Sequence, residues 1–240
     1  MNLLVDKLNR MRLSGMSKAL EEQEGNSLYN DLSFEERLSM LLDREITFRE
    51  DRQLKILLKK AKFRYTGACI EDIDYKASRG ISKTLLLELA GNKWIKDKKN
   101  IILTGSTGTG KTYIACALGN SACRNGFKTL YFRIPRLLQE MKIAKVEGSY
   151  IKLLDRMSKV DLLIIDDWGL SPLNDIERRD FLEIIEDRNN LRSTIIATQF
   201  PVDKWHEIIG DPTIADAICD RLIHNAYHLK LTGESMRKVS

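Results

Sequence analysis

Leu3, Leu4, Leu8, Met11, Leu13, Met16 and Leu20 recur near helical spacing and predict one helix over residues 2–24. Gly25-Asn26-Ser27 interrupts the pattern. A longer helix is predicted from Ser33 to about Phe63, opened by a capping box of Ser33 and Glu36. Its apolar side is drawn by Leu38, Leu41, Leu42, Ile46, Leu54, Leu57, Leu58 and Ala61. Residues 64–99 read as a linker plus the entry helix of a second domain. Beyond residue 99 the pattern changes. Short aliphatic runs predict strands near 100–104, 128–133, 160–166, 193–198 and 227–231. Helical stretches fall near 111–124, 135–145, 150–158, 176–189, 203–209 and 214–223. Strands separated by helices predict an α/β unit with a doubly wound parallel sheet. The boundaries are an all-helical domain at 1–63 and the α/β domain at 64–240.

At 240 residues with 43% hydrophobic content, the chain can bury a full core. Its net charge of +5 is compatible with nucleic acid without requiring it. Cys69, Cys116, Cys123 and Cys219 form no C-x-x-C pair, which argues against zinc and for reduced thiols in a cytoplasmic protein. Core packing is the expected role of Cys116 and Cys123. The N-terminus is charged too early for a secretory signal, and no apolar run approaches the ~20 residues of a membrane span.

The chemistry begins at Gly105-Ser106-Thr107-Gly108-Thr109-Gly110-Lys111-Thr112, which fits G-x-x-x-x-G-K-[ST] between a predicted strand and a predicted helix. Glycines let the backbone wrap so that successive N–H groups face a phosphate. In such a loop Lys111 reaches the β- and γ-phosphate oxygens, and the Thr112 hydroxyl ligates Mg²⁺. The helix after the loop presents its positive dipole end. The aliphatic run Leu162-Leu163-Ile164-Ile165 then leads into Asp166-Asp167-Trp168-Gly169. Two carboxylates at the C-terminal end of a buried strand lie where α/β sheets bind ligands. Asp166 is the Walker B residue that holds Mg²⁺ through its water shell, and Asp167 occupies the position that polarises the attacking water.

Other residues are candidates by position. The strand Ser193–Thr198 ends in polar residues, so Gln199 or Thr198 would lie near the γ-phosphate. Arg221 is a candidate arginine finger for a neighbouring subunit's ATP, or else a local ion pair with Asp216 or Asp220. Arg237 is a second candidate arginine. Phe63, Tyr65 and Ile73 are candidates to border the adenine. Arg49, Arg52, Lys55, Lys59, Lys60 and Lys62 occupy one half of the long helix, as a phosphate-binding stripe or a solvated face.

These motifs together resemble IstB-type transposition helper ATPases of the AAA+ class and are similar to DnaC-type helicase loaders. The resemblance covers nearly the whole chain. It is carried by Leu13-Ser14-Gly15-Met16, Arg44-Glu45 with Ala61-Lys62-Phe63, Gly105 to Thr112, Leu162 to Gly169, and Gly233-Glu234-Ser235-Met236-Arg237. It implies a P-loop AAA+ domain, ATP and Mg²⁺ as cofactors, and an oligomer with ATP between subunits. Only a few residues follow Arg221 and the final predicted strand, so the C-terminal helical lid of most AAA+ proteins is expected to be absent. Double-stranded DNA and a transposase are the implied partners, with helicase loading as the alternative function. Asp167 is implied as the catalytic acid, Gln199 as sensor one and Arg221 as the finger. The segment 136–152, with Lys142, Lys145 and Lys152, is implied as DNA-contacting, beside its plain reading as a solvated basic face. Asp167 is one methylene shorter than the usual Glu, so slow hydrolysis is expected. A small-molecule P-loop kinase would fit the phosphate loop but not the paired carboxylates.

Overall fold

A computed structural model describes residues 3–75 and 80–236 and divides the chain into two compact units, Met1–Ile56 and Leu57–Ser240. The first unit holds α1 (Leu3–Arg10), α2 (Ser14–Glu24) and most of α3 (Phe34–Ala61). The single helix expected over 2–24 is two helices. Arg12 takes φ 60°, and Leu13 N–H bonds back to the Leu8 carbonyl at 2.9 Å. This is the left-handed helix ending that glycine usually supplies, so a pattern search keyed to glycine passes over it. The break lets α2 start a new direction. Its first N–H groups, on Gly15 and Met16, donate to the Glu45 carboxylate at 2.7 and 3.1 Å. A carboxylate at a helix N-terminus answers both the orphan donors and the positive dipole end. Glycine is required at residue 15, because a Cβ there would stand 2.7 Å from the Glu45 Cα.

Ser33 and Glu36 make the expected capping box at the start of α3, with bonds of 2.8 and 3.3 Å. The apolar side of α3 is only partly covered. Leu41 is buried, whereas Leu38, Leu42 and Ile46 are exposed along with Phe34. No helix among the described residues is long and apolar enough to cross a membrane.

The second unit begins within α3, whose Leu57 and Ala61 belong to its core. It continues through α4 (Lys83–Ala90), α5 (Lys93–Lys96), β1 (Asn100–Gly105), α6 (Lys111–Arg124), β2 (Thr129–Arg133), α7 (Ile134–Val146) and α8 (Tyr150–Ser158). Then come β3 (Leu162–Trp168), α9 (Asp175–Arg188), β4 (Ser193–Thr198), α10 (Trp205–Ile209), α11 (Pro212–Ile223) and β5 (Ala226–Leu231). All five strands are parallel in the order β2-β3-β4-β1-β5. The fold is the doubly wound α/β sheet. No helical lid follows β5 among the described residues.

Both faces of the sheet are covered, which is why its central strands read as unbroken aliphatic runs. Ile102, Leu163, Ile165 and Ile196 join a core with Phe181, Trp168 and Trp205. On the other face Gly119 of α6 lies so close to Ile164 and Phe63 that a Cβ would meet them at 2.6–2.8 Å. Cys116 and Cys123 are buried on α6, and burial pushes both thiols up to about 11. Arg188, also buried, ties the starts of β3 and β4 together through the carbonyls of Met157, Val160 and Ser193.

Gly15→Ala is expected to lower the urea midpoint followed by far-UV circular dichroism. The overpacking cost, about 1–3 kcal/mol, exceeds the roughly 1 kcal/mol that Ala gains as a helix former. Gly25→Ala serves as the control: its Cβ would meet nothing closer than 3.4 Å. Equal midpoints for the two variants would mean that the α2–α3 contact is not tight.

Candidate functional site

In this strand order, β1 leads to β2 on one side of itself, and β4 leads to β5 on the other. The chain therefore reverses between β1 and β4, and ligands of open α/β sheets gather at such a point, beyond the strands' C-terminal ends. The ends of β1, β3 and β4 meet there. A cavity of about 330 Å³ opens between them, lined by Thr107 to Ile114, Asp167, Ala197 to Gln199, Tyr65, Asp72 to Asp74 and Met236.

The phosphate loop connects β1 to α6. Gly108 and Gly110 hold φ of 86° and 96°, and a Cβ on Gly108 would stand 2.1 Å from the Ser235 Oγ. The crowding comes from the segment after β5, whose Met236 N–H donates to the Gly108 carbonyl at 3.0 Å. Lys111 is buried and folds back onto its own loop, donating to the Gly105 and Ser106 carbonyls at 2.6 and 2.8 Å. α6 starts at Lys111 with no side-chain cap. Its first amides and the loop glycines form a concave, positively polarised surface that fits a polyphosphate.

Both carboxylates at the end of β3 are held. Asp166 is buried, and its oxygens accept from the Thr112 hydroxyl at 2.9 and 3.1 Å and from the Tyr131 hydroxyl at 2.7 Å. Burial pushes the Asp166 carboxyl up, and the Tyr131 and Thr112 hydrogen bonds work against that shift. A buried carboxylate whose hydrogen bonds come from neutral hydroxyls suits a cation nearby. Mg²⁺ is commonly held by one carboxylate, one hydroxyl and substrate phosphates, so Thr112 and Asp166 fit it. Asp167 sits at φ 61°, beside an irregularity in the β3–β4 pairing, and takes an ion pair from Arg133 Nε at 2.6 Å.

The structure separates Thr198 from Gln199. Thr198 is fully buried; it donates to the Trp168 carbonyl at 2.8 Å and accepts from the Phe200 N–H. Gln199 instead accepts from the Thr107 hydroxyl at 2.7 Å, which puts it against the phosphate loop. Arg221 does not line the cavity. It pairs with neither Asp216 nor Asp220, which bond His206 and His224; its partners are Glu186 at 2.7 Å and the Ala217 carbonyl. Tyr65 and Ile73 line the cavity, but Phe63 is buried beside Gly119. Arg52, Lys55, Lys59, Lys60, Lys142 and Lys152 are exposed. Arg49 pairs with Glu45, and Lys145 pairs with Asp180 at 2.5 Å beneath the Tyr150 ring. Arg237 lies outside the described residues.

Residues 6–240 match the sequence profile described as IstB-like ATP binding protein. The chain belongs to this IstB-like family. An insertion-sequence ATP-binding protein of Sinorhizobium fredii is 49% identical over 98% of this chain and 95% of its own length. The ATP-binding protein of insertion sequence IS21 of Pseudomonas aeruginosa is 31% identical over 96% and 86%. Among solved structures, the DnaC helicase loader superposes with a TM-score of 0.61 at 24% identity, over 70% of this chain and 99% of that one. AMPPCP-bound DnaA from Aquifex aeolicus gives 0.61 at 20%, over 72% and 52%. These two structures share this chain's fold, and the IstB-like chain is an ATPase.

Sequence reasoning missed the residues that support the site from other elements. Tyr131 and Arg133 alternate along β2 and reach one carboxylate each. Polar residues at a strand's end were the available signal, but their relevance depends on β2 lying beside β3. Asn120, buried on α6, donates to the Thr66 and Ala68 carbonyls at 2.9 and 3.0 Å and so fixes the segment that carries Tyr65 and Ile73.

Asn120→Leu leaves both carbonyls without that donor, at about 1–3 kcal/mol each. Amide exchange across residues 66–73 is expected to speed up at least tenfold, with the amides of β3 unchanged. Unaltered exchange in that segment would show that Asn120 does not hold it.

Proposed function

We propose that this IstB-like ATPase is a transposition helper that assembles on duplex DNA when it binds ATP, recruits or stimulates a partner transposase, and lets go on hydrolysis. The observation that carries this reading is a cavity lined by the phosphate loop and Asp167 in a chain whose insertion-sequence relatives match it over nearly its whole length. The likeness to DnaC is one of fold, so helicase loading remains the second reading, with less behind it.

In this reading the amides of Gly105 to Thr112 take the β- and γ-phosphates, and Lys111 exchanges its loop carbonyls for phosphate oxygens. Thr112 and Asp166 would hold Mg²⁺, which would supply neutralisation of the phosphate charge. Asp167 polarises the attacking water, and Gln199 orients it from beside Thr107. Arg221 lies away from its own cavity, which suits a finger that reaches the ATP of the next subunit in a homo-oligomer. The exposed cations of α3, α7 and α8 contact DNA phosphates: Arg49, Arg52, Lys55, Lys59, Lys60, Lys142, Lys145 and Lys152.

Electrophoretic mobility shift with double- and single-stranded DNA, with and without ATP, tests the assembly. The expected result is ATP-dependent binding to duplex, abolished by Lys111→Ala. If four to eight of the cations reach phosphates, log affinity falls against log salt with a slope of roughly −4 to −7 per subunit. A flat salt response would remove the backbone contacts, and single-strand preference would favour the loader reading.

The Arg133–Asp167 pair gives a second test. If the carboxylate must leave Arg133 before it can polarise water, Arg133→Ala raises ATP turnover in the absence of DNA. The rise is on the order of tenfold, the rate equivalent of about 1.4 kcal/mol. Steady-state phosphate release measures it; a fall in turnover would mean that Arg133 assists Asp167 rather than restraining it.

A further inference from the structure

Tyr131 stands in the middle of β2 with its ring buried, in a strand whose neighbours Leu130 and Phe132 point into the core shared with α7, α9 and α11. A phenylalanine would fill the same space. The hydroxyl has a separate purpose. It is buried and has one bond, donated to Asp166 Oδ2 at 2.7 Å across the β2–β3 pair. A buried hydroxyl without a partner is costly, so the phenol and the carboxylate hold each other in place.

The two oxygens of Asp166 are not equivalent. Oδ2 accepts both the Tyr131 hydroxyl at 2.7 Å and the Thr112 hydroxyl at 2.9 Å, whereas Oδ1 has the longer Thr112 contact at 3.1 Å; the Asp167 amide also hydrogen-bonds the carboxylate. Turning the carboxylate about its Cβ–Cγ bond would sacrifice the short phenol bond. The carboxylate is therefore held in a fixed direction beside Thr112, which itself lines the cavity. Outer groups that orient a metal-binding carboxylate in this way commonly change metal affinity about tenfold to a hundredfold when removed.

We propose that Tyr131 is a positioning residue for the magnesium-binding carboxylate: its hydroxyl fixes Oδ2 of Asp166 and with it the direction in which the carboxylate would meet the metal. This rests on the reading of Thr112 and Asp166 as the magnesium site. Tyr131 does not line the cavity and acts only through Asp166. The same strand carries Arg133 to Asp167, so β2 supplies one support to each carboxylate of β3.

Tyr131→Phe removes a single oxygen from a ring that stays in its seat. Binding of a fluorescent ATP analogue is measured while magnesium is titrated, and again in EDTA. The magnesium concentration for half-maximal tightening is expected to rise about tenfold to a hundredfold. Affinity in EDTA and the far-UV circular dichroism spectrum stay as in the unsubstituted protein. In an Asp166→Asn background, Tyr131→Phe should add little further loss, because the two residues act as one unit. An unchanged magnesium midpoint overturns the proposal. So does an equal loss of affinity in EDTA, which would make the phenol a packing element. If the unsubstituted protein binds the analogue with no magnesium dependence, the metal reading of Thr112 and Asp166 falls first and takes this one with it.

Discussion

A carboxylate kept out of water at the end of β3 is the constraint on which the ATPase unit turns. Asp166 is buried, and burial works against its charge. It is retained by hydroxyls from two separate elements, Thr112 on α6 and Tyr131 on β2. Those elements meet only because β3 lies between β2 and β4, with β1 one strand further on. The sheet order is thus what makes an otherwise unfavourable charge tenable, beside the cavity that the phosphate loop lines.

The surrounding parts serve the same point in space. α6 is fixed to the sheet where Gly119 admits Ile164 and Phe63 to close contact. The same helix fixes the segment 66–68 through Asn120, and Tyr65 and Ile73, on either side of that segment, line the cavity. After β5 the chain crosses the phosphate loop, where Gly108 leaves room for Ser235. The loop is therefore bounded by Gln199 from β4 and by the segment after β5.

The first unit uses the same device for a structural end. Glu45 reaches from α3 to the N-terminus of α2, and Gly15 clears the space between the helices. The residues that carry the family resemblance in this half of the chain, Leu13 to Met16 and Arg44-Glu45, are the two sides of that one contact. Ala61 and Phe63 likewise pack in the core of the second unit.

The sequence by itself determined the strands of the sheet, the phosphate loop and the carboxylate pair. Aliphatic runs buried on both faces and a glycine pattern demanded by backbone geometry are local signals. It also carried the capping box of Ser33 and Glu36, which spans one helical turn. Other features needed the tertiary structure. The break at Arg12 uses a left-handed residue other than glycine. Arg221 finds Glu186, far from it in sequence, while its sequence neighbours Asp216 and Asp220 face histidines. Which of Thr198 and Gln199 faces the loop is a matter of side-chain direction at the end of β4. Tyr131, Arg133 and Asn120 matter because of what lies across from them. Periodicity and motif spacing describe a chain's relation to itself over a few residues, whereas the support of a buried charge depends on which strands become neighbours.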